Sequence, residues 1–199
     1  MKYRRFGKLN WKASILGFGA MRLPTIDDNH ARIDENEALA MIRFAIDNGV
    51  NYIDTAYPYH GGNSETFLGK ALQDGYRNKV KVATKMPTWL IKSKQDMNKY
   101  LNEQLERLNT EYIDFYLFHG LNKERWKNIC RLNVLQWAEK KRMMANSNTQ
   151  DSASTMNIAF SKRLWMLMMG GRFVKFFTTT WTQTTKQVQK GSSMQPPKG

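Results

Sequence analysis

Four short apolar segments recur at intervals of about 30 residues, and this recurrence restricts the fold more than any other feature. They read SILGFG from Ser14, VNYID from Val50, VKVATK from Val80 and YIDFYLF from Tyr112. Each is followed by residues with helical periodicity, and one strand with its helix fills about 30 residues in a repeated βα unit. Such repeats predict a parallel sheet covered by helices. Four units fit half of an eight-stranded barrel or a small open sheet, and KYRRFGKLNWKAS ahead of them predicts a β-hairpin.

Helix start and stop signals support this organisation. Asp34 and Glu37 resemble a capping box before the first helix, and Gly49 is placed to end that helix. Ser64 and Ser93 are candidate N-caps of the second and third helices. Apolar residues at helical spacing are predicted to face the core. They are Leu39, Ile42, Ile46, Phe67, Leu68, Ala71, Leu72, Met97, Leu101, Leu105, Leu108, Trp126, Ile129 and Leu132.

The charge of the chain divides it into two parts. The 199 residues carry a formal net charge of +14, of which residues 1–140 account for +6 and residues 141–199 for +8, with a single acid in the second part. We therefore separate a patterned segment, 1–140, from an out-of-pattern basic tail, 141–199, which we expect to be irregular and poorly ordered. The one cysteine, Cys130, fits a reducing compartment. The longest apolar run, LWMLMMGG from Leu164, is too short to span a bilayer, so we expect a cytoplasmic protein.

Residue types that transfer protons stand at the predicted strand ends, which are Gly19, Asp54, Lys85 and His119. Tyr59 follows five residues after Asp54, in the Gly-rich loop YPYHGGNSE. Each residue alone has an ordinary structural explanation, such as a solvated strand flank for the lysine or a hydrogen-bonded structural role for the histidine. In a barrel, however, chemistry gathers at the carboxyl ends of the strands. Together these residues form a candidate proton-transfer set.

Charge explains how such a set would act on a carbonyl group. A carbonyl that accepts hydride needs a proton on its oxygen, and a free tyrosine, with a pKa of about 10, is a poor donor at neutral pH. A neighbouring lysine cation stabilises phenolate and lowers that pKa. Asp54 would keep Lys85 charged and oriented. Tyr59 would then supply the proton, and His119 would hydrogen-bond the carbonyl oxygen.

The same segments resemble, in order, the successive signatures of the aldo-keto reductases. They are LGFGAMRLP (Leu16–Pro24), NYIDTAYPYHGGNSE (Asn51–Glu65), VATK (Val82–Lys85) and IDFYLFHG (Ile113–Gly120), over about 140 residues. The resemblance implies an α/β fold of the (β/α)8 TIM-barrel type, of which the first four βα units are recognisable. It also implies an oxidoreductase that reduces a small-molecule carbonyl, or oxidises an alcohol, with NADP(H) or NAD(H) as cofactor.

Two sets of site residues follow from this resemblance. The catalytic set, in which Tyr59 is the general acid, is Asp54, Tyr59, Lys85 and His119. The cofactor-binding set, on the nicotinamide side, is Gly19, Ala20, Met21 and Asp54. The HGGNSE loop is expected to border the substrate mouth. No metal is expected, because the chain lacks the cysteine cluster of relatives that carry an iron–sulfur segment.

The strand and helix pattern stops near Lys141, although a barrel of this family needs eight units. One hypothesis is that the reading frame slipped near this residue. Met and Trp each have a single codon, so they fix some residues of the shifted frame. Those residues are acids or glycine, and none is a stop. Where the code leaves a choice, the permitted residues fit the family's fifth and sixth strands. Half a barrel would have impaired activity, because most of the cofactor cradle would be missing, and its open sheet edges would offer a route to self-association. A native but divergent tail is the alternative.

A second function class is a non-catalytic protein whose basic tail binds nucleic acid. Four aromatic residues of the tail lie near basic residues: Phe173, Phe176, Phe177 and Trp181. Proteins that bind single-stranded nucleic acid combine aromatic and basic side chains in this way. The basic residues are scattered without a recognisable nucleic-acid motif, however. The expected partner is therefore a small-molecule carbonyl, and neither nucleic acid nor a membrane is expected.

Overall fold

A four-stranded parallel sheet organises the chain in a computed structural model that describes residues 1–6 and 9–147. The described residues belong to one compact unit. The strands of the sheet are β3 (Phe18–Gly19), β4 (Tyr52–Asp54), β5 (Lys81–Pro87) and β6 (Phe115–His119). They lie in chain order, so each new strand is added beside the preceding one. The α/β class and the parallel sheet are as predicted, and β3 and β6 form the two edges among the described strands.

Helices alternate with these strands. The helices α1 (Glu35–Asp47), α2 (Asn63–Ala71) and α3 (Lys94–Arg107) connect successive strands, and α4 (Lys123–Arg131) and α5 (Val134–Ser147) follow β6. Short helical turns occupy Tyr59–Gly62 and Tyr76–Lys79. None of the helices in residues 1–147 has the length and apolar character that a membrane crossing requires.

The predicted hairpin closes one end of the sheet. It consists of β1 (Tyr3–Arg5) and β2 (Lys12–Ser14), which pair antiparallel. Phe6 and Trp11 next to these strands pack their rings 5.0 and 5.9 Å from that of Phe115, the first residue of β6. Tyr52, the first residue of β4, joins this cluster. Because aromatic side chains cover the amino ends of the strands, a ligand can approach the sheet from the carboxyl ends.

The predicted core is confirmed. Of the fourteen residues named from helical spacing, eleven are buried, and the other three, Leu39, Leu105 and Trp126, are partly buried and pack against them. Two helix caps are also confirmed. The Asp34 carboxylate accepts the backbone N–H of Glu37 at 3.1 Å, and Ser93 precedes α3 with its own N–H donated to Asp96 at 2.8 Å.

Two local predictions are wrong. Ser64 does not cap α2, because the helix begins at Asn63, after Gly62 in a left-handed conformation (φ 98°), and Ser64 lies within its first turn. The buried Ser64 hydroxyl instead contacts the Thr55 hydroxyl at 2.9 Å. Lys85 does not end its strand either. The strand β5 continues to Pro87, which pairs with His119, because β6 extends far enough to hydrogen-bond it.

The predicted basic tail lies almost entirely outside the described residues. Its first seven residues complete α5, which runs to Ser147. The boundary at residue 140, the hypothesis of a shifted reading frame and the aromatic residues considered for nucleic-acid binding all stay predictions.

A buried carboxylate fixes the register between β5 and β6. Asp114, which is 2% exposed, accepts the Val82 backbone N–H at 2.9 Å and pairs with Arg77 and Lys81, each at 2.8 Å. Removing one partner of a buried ion pair leaves uncompensated charge, which costs far more than the net contribution of the pair.

We predict that Asp114→Ala lowers the free energy of unfolding by about 3 kcal/mol, because a backbone donor and two cations lose their acceptor. Chemical denaturation monitored by tryptophan fluorescence would measure this loss. The matched control is Glu35→Ala, since Glu35 pairs with Lys70 on the surface and its removal from a helix should change stability little. Equal, small effects of both substitutions would show that Asp114 does not hold the strands together.

Candidate active site

The Lys85 ammonium group is the centre of a hydrogen-bonded cluster at the carboxyl end of the sheet. Its Nζ lies 2.6 Å from Asp54 Oδ1, 2.8 Å from the Thr55 carbonyl oxygen and 3.1 Å from the Tyr59 hydroxyl. These contacts provide acceptors for all three N–H groups of the ammonium. The side chains of Lys85 and Asp54 are 15% and 25% exposed, so both are mostly buried and each keeps a small area in contact with solvent.

The register of the strands brings these residues together. Asp54, the last residue of β4, pairs with Ala83, and Lys85 lies two residues further along β5. Alternate residues of a strand point to the same face, so Lys85 shares a face with Ala83 and reaches across to β4. The chain after Asp54 then turns back, with the Tyr59 N–H donating to the Ala56 carbonyl at 3.1 Å, which places the Tyr59 hydroxyl over Lys85.

His60 fixes the loop that carries Tyr59. This residue is fully buried in a left-handed conformation (φ 53°), and its Nε2 accepts the Leu23 backbone N–H at 3.1 Å. Nδ1 must then carry the ring proton of a neutral imidazole, and it donates to the His30 carbonyl at 2.7 Å. His60 therefore ties the Tyr59 loop to the segment that follows β3.

His119 faces Tyr59 across the site as the last residue of β6. The two rings meet edge to face with 5.8 Å between centroids, and Trp89 contacts His119 on another side at 5.2 Å. Burial, together with the positive charges of Lys85 and Arg125, lowers the His119 pKa to about 4. The ring is therefore neutral at physiological pH, and its buried Nδ1 has no hydrogen-bond partner among the described residues.

The pKa of the Asp54 carboxyl group lies above its usual value. Burial raises the pKa of Asp54, while the adjacent Lys85 ammonium opposes this increase. At 2.6 Å the two groups form a charge-assisted hydrogen bond.

The predicted cofactor-binding residues lie beside this cluster. Gly19 pairs with Asp54 in the sheet, and Ala20 is fully buried next to it. The Ala20 N–H donates to the Asp54 carbonyl at 2.8 Å, and its carbonyl accepts from the Ser64 hydroxyl at 3.0 Å. The polar main-chain groups of Ala20 are thus already paired, and because the residue is fully buried it supports the wall of the site from behind. Met21 is 46% exposed and extends the same surface.

Three further residues of the site were missed by the sequence analysis. Thr55 supplies the carbonyl oxygen that binds Lys85, a main-chain contact without a side-chain signal. Trp89 and Arg125 flank His119, with the Arg125 guanidinium 5.6 Å from the Trp89 ring centre. Trp89 could have been found as an aromatic residue just past the end of β5, since loops at that end line the site. Within residues 1–147, the described His, Cys, Asp and Glu side chains form no group that could hold a metal ion.

Comparison with known proteins identifies relatives over the patterned part of the chain. A model of the aldo/keto reductase family matches residues 15–151. The uncharacterized oxidoreductase YqkF of Bacillus subtilis is 33% identical over 129 residues, which are 60% of this chain and 39% of that protein. L-galactose dehydrogenase of Arabidopsis thaliana is 34% identical over 127 residues, 61% of this chain and 39% of that protein.

A solved structure shares the fold. The holo form of an aldo-keto reductase from Bacillus halodurans matches with a TM-score of 0.59 and 29% identity, covering 72% of this chain and 47% of that one. This match confirms the predicted TIM-barrel type of fold for the described βα units. The chain spans about two fifths of the length of the curated relatives above.

We predict that the His119 imidazole stays neutral down to about pH 4, because its pKa in the folded protein is lowered from 6.5 to about 4. The unfolded chain takes up this proton near pH 6.5, so the folded state loses stability as the pH falls from 6.5 towards 4. Nuclear magnetic resonance titration of the histidine ring protons would measure the pKa, with His119 assigned by its absence in His119→Gln. Unfolding free energies should fall less with pH in that variant, and a His119 ring that titrates near 6.5 would contradict the prediction.

Proposed function

Because the chain belongs to the aldo/keto reductase family, we propose that it reduces a small-molecule carbonyl compound, or oxidises the corresponding alcohol, with NAD(P)H as cofactor. One observation carries the proposal: the Lys85 ammonium hydrogen-bonds both Asp54 and the Tyr59 hydroxyl at the carboxyl end of a parallel sheet. A cytoplasmic location is also proposed, on the strength of the single cysteine, Cys130.

The hydrogen bonds set the direction of proton transfer. Lys85 donates to the Tyr59 oxygen at 3.1 Å, so the phenol proton of Tyr59 is free to be donated elsewhere. A carbonyl oxygen placed between Tyr59 and His119 would accept this proton. Lys85 then stabilises the resulting phenolate, since a cation next to a phenol favours its charged form. Asp54 keeps the ammonium in place with a bond of 2.6 Å.

The residues at the ends of β3 and β4 fit the nicotinamide end of the cofactor. Ala20 is fully buried and its polar backbone groups are paired within the protein, so it supports from behind the surface beside Asp54 on which the nicotinamide would lie. Gly19 and Met21 border it. When bound, NAD(P)H supplies the hydride that adds to the carbonyl carbon. The two electrons of the hydride and the proton from Tyr59 together convert the carbonyl into an alcohol, and Tyr59 regains a proton from solvent.

His119 would orient the substrate. Its ring is neutral, since its pKa is lowered to about 4, and a neutral imidazole can donate one hydrogen bond to a carbonyl oxygen without competing as an acid. The edge-to-face contact with Tyr59, at 5.8 Å between ring centroids, supports a substrate oxygen that contacts both side chains. Two donors on the same oxygen stabilise the negative charge that develops as hydride arrives.

We predict that Tyr59→Phe lowers carbonyl reduction by at least about a hundredfold, because the variant keeps the ring and loses the donated proton. The assay follows oxidation of NADPH or NADH by absorbance, with a panel of small aldehydes and ketones. Tyr57→Phe is the matched control, since the Tyr57 hydroxyl lies two residues away and donates to Glu103 at 3.1 Å, outside the cluster.

The control variant should keep activity within about threefold of the unsubstituted chain, because its hydroxyl lies outside the proton path. Equal activities of Tyr59→Phe and the unsubstituted chain would overturn the role of Tyr59. If the unsubstituted chain binds neither NADPH nor NADH and reduces none of these carbonyls, the proposed function is wrong.

A further inference from the structure

We propose that Gln104 is a positioning residue for Lys85, which holds the β5 backbone at that lysine from the helix side of the sheet, and that the buried carboxylate of Glu65 fixes its orientation. The inference rests on the proposed function, because it concerns the same site. Its evidence is a buried polar network that the proton-transfer cluster does not use.

Glu65 is the acidic centre of this network. Its side chain is completely buried, and its Oε1 accepts from the Thr84 hydroxyl and from Gln104 Nε2, each at 2.5 Å. The other oxygen, Oε2, has no hydrogen bond and faces Arg107 Nη1 at 3.5 Å. Burial raises the pKa of Glu65, and the hydrogen bonds from Thr84 and Gln104 oppose this.

Gln104 has one possible orientation in these surroundings. Its Oε1 accepts from the Tyr116 hydroxyl at 2.7 Å, and its Nε2 lies 3.2 Å from the Lys85 carbonyl oxygen. Nε2 also lies 3.1 Å from the Thr84 hydroxyl oxygen, so one of its N–H groups is directed at Glu65 and the other lies between the Thr84 hydroxyl and the Lys85 carbonyl. A reversed amide would place Oε1 against the Lys85 carbonyl oxygen, which has no proton to donate, and against the Glu65 oxygen that already accepts from Thr84. Glu65 therefore keeps the amide pointing its N–H at Lys85.

The network connects the elements that carry the site. Glu65 lies on α2 just after the Tyr59 turn, Gln104 lies on α3, and Tyr116 lies on β6 three residues before His119. Thr84 and Lys85 are consecutive in β5, so their side chains point to opposite faces of the sheet. The Lys85 side chain meets Asp54 and Tyr59 on one face, while Gln104 holds its backbone from the other.

The free-energy cost of burying Glu65 and Gln104 supports a positioning role for Gln104. A fully buried carboxylate and amide cost stability unless every partner is in place, and apolar residues of similar volume would often fill the same space as well or better. What the polar network adds is a fixed geometry. The contacts at Lys85 are short, 2.6 Å to Asp54 and 3.1 Å to Tyr59, and displacement of a catalytic group by about 1 Å can lower a rate by as much as a hundredfold.

The test replaces Gln104 with methionine, which has a similar length and cannot donate to Lys85. We expect Gln104→Met to lower kcat for carbonyl reduction by about tenfold or more, with KM for NADPH within about twofold, because the cluster shifts and the cofactor surface stays in place. Gln104→Asn is the second variant, for the case in which methionine prevents folding. It keeps an amide that is too short to reach the Lys85 carbonyl.

Tyr116→Phe is the matched control within the network. It removes the hydrogen bond at Gln104 Oε1 and leaves the Nε2 contacts with Glu65 and Lys85 in place. Gln104→Met removes this bond and the Nε2 contacts as well, so both substitutions should lower thermal stability, and Gln104→Met should lower it more. We expect kcat of the control to stay within about twofold of the unsubstituted chain, because the Lys85 backbone stays held.

A second measurement needs neither cofactor nor turnover. In protein with isotope-labelled tyrosine, the Tyr59 ring signal, assigned by its absence in Tyr59→Phe, reports the contact with Lys85. Gln104→Met should shift this signal, and Tyr116→Phe should not. An unshifted Tyr59 signal in both Gln104 variants, or equal losses of kcat in Gln104→Met and Tyr116→Phe, would overturn the inference. An unsubstituted chain without activity would overturn the proposed function, while the Tyr59 signal would still decide the role of Gln104.

Discussion

The contact between the Lys85 ammonium and the Asp54 carboxylate is the interaction around which the rest of the site is arranged. It exists because β4 and β5 are parallel neighbours, so that a residue at the end of one strand faces a residue along the other. The same ammonium reaches Thr55 and Tyr59, which fixes the loop after β4. Burial raises the pKa of Asp54, and the short distance to the Lys85 ammonium opposes that increase.

Three sets of contacts hold the elements around this ion pair in place. Aromatic side chains of the hairpin close the opposite end of the sheet, where Phe6 packs 5.0 Å from Phe115. His60 ties the Tyr59 loop to the segment after β3. The buried carboxylate and amide behind β5 hold the backbone of Lys85. Lys85 is thereby held through its side chain on one face of β5 and through its backbone on the other.

Much of this arrangement follows from the sequence because it depends on local periodicity and on strand order. The four strands, the core faces and the meeting of Asp54, Lys85 and Tyr59 could be predicted, since parallel strands carry their end residues to one edge. The failures occurred where tertiary contacts decide. Serine often caps helices, but the Ser64 hydroxyl instead forms a hydrogen bond with the Thr55 hydroxyl. Gln104 interrupts an apolar stripe, and periodicity alone cannot show that its partners are Glu65 and the Lys85 carbonyl.

The most direct measurement is the rate of NADPH-dependent carbonyl reduction after Lys85→Met, compared with the unsubstituted chain in the same assay. Methionine keeps much of the length of the side chain and removes the cation that holds Asp54 and the Tyr59 hydroxyl. The account predicts a folded protein whose kcat is lower by at least about a hundredfold. A folded Lys85→Met protein that reduces carbonyls at an unchanged rate would contradict the central role of this ammonium.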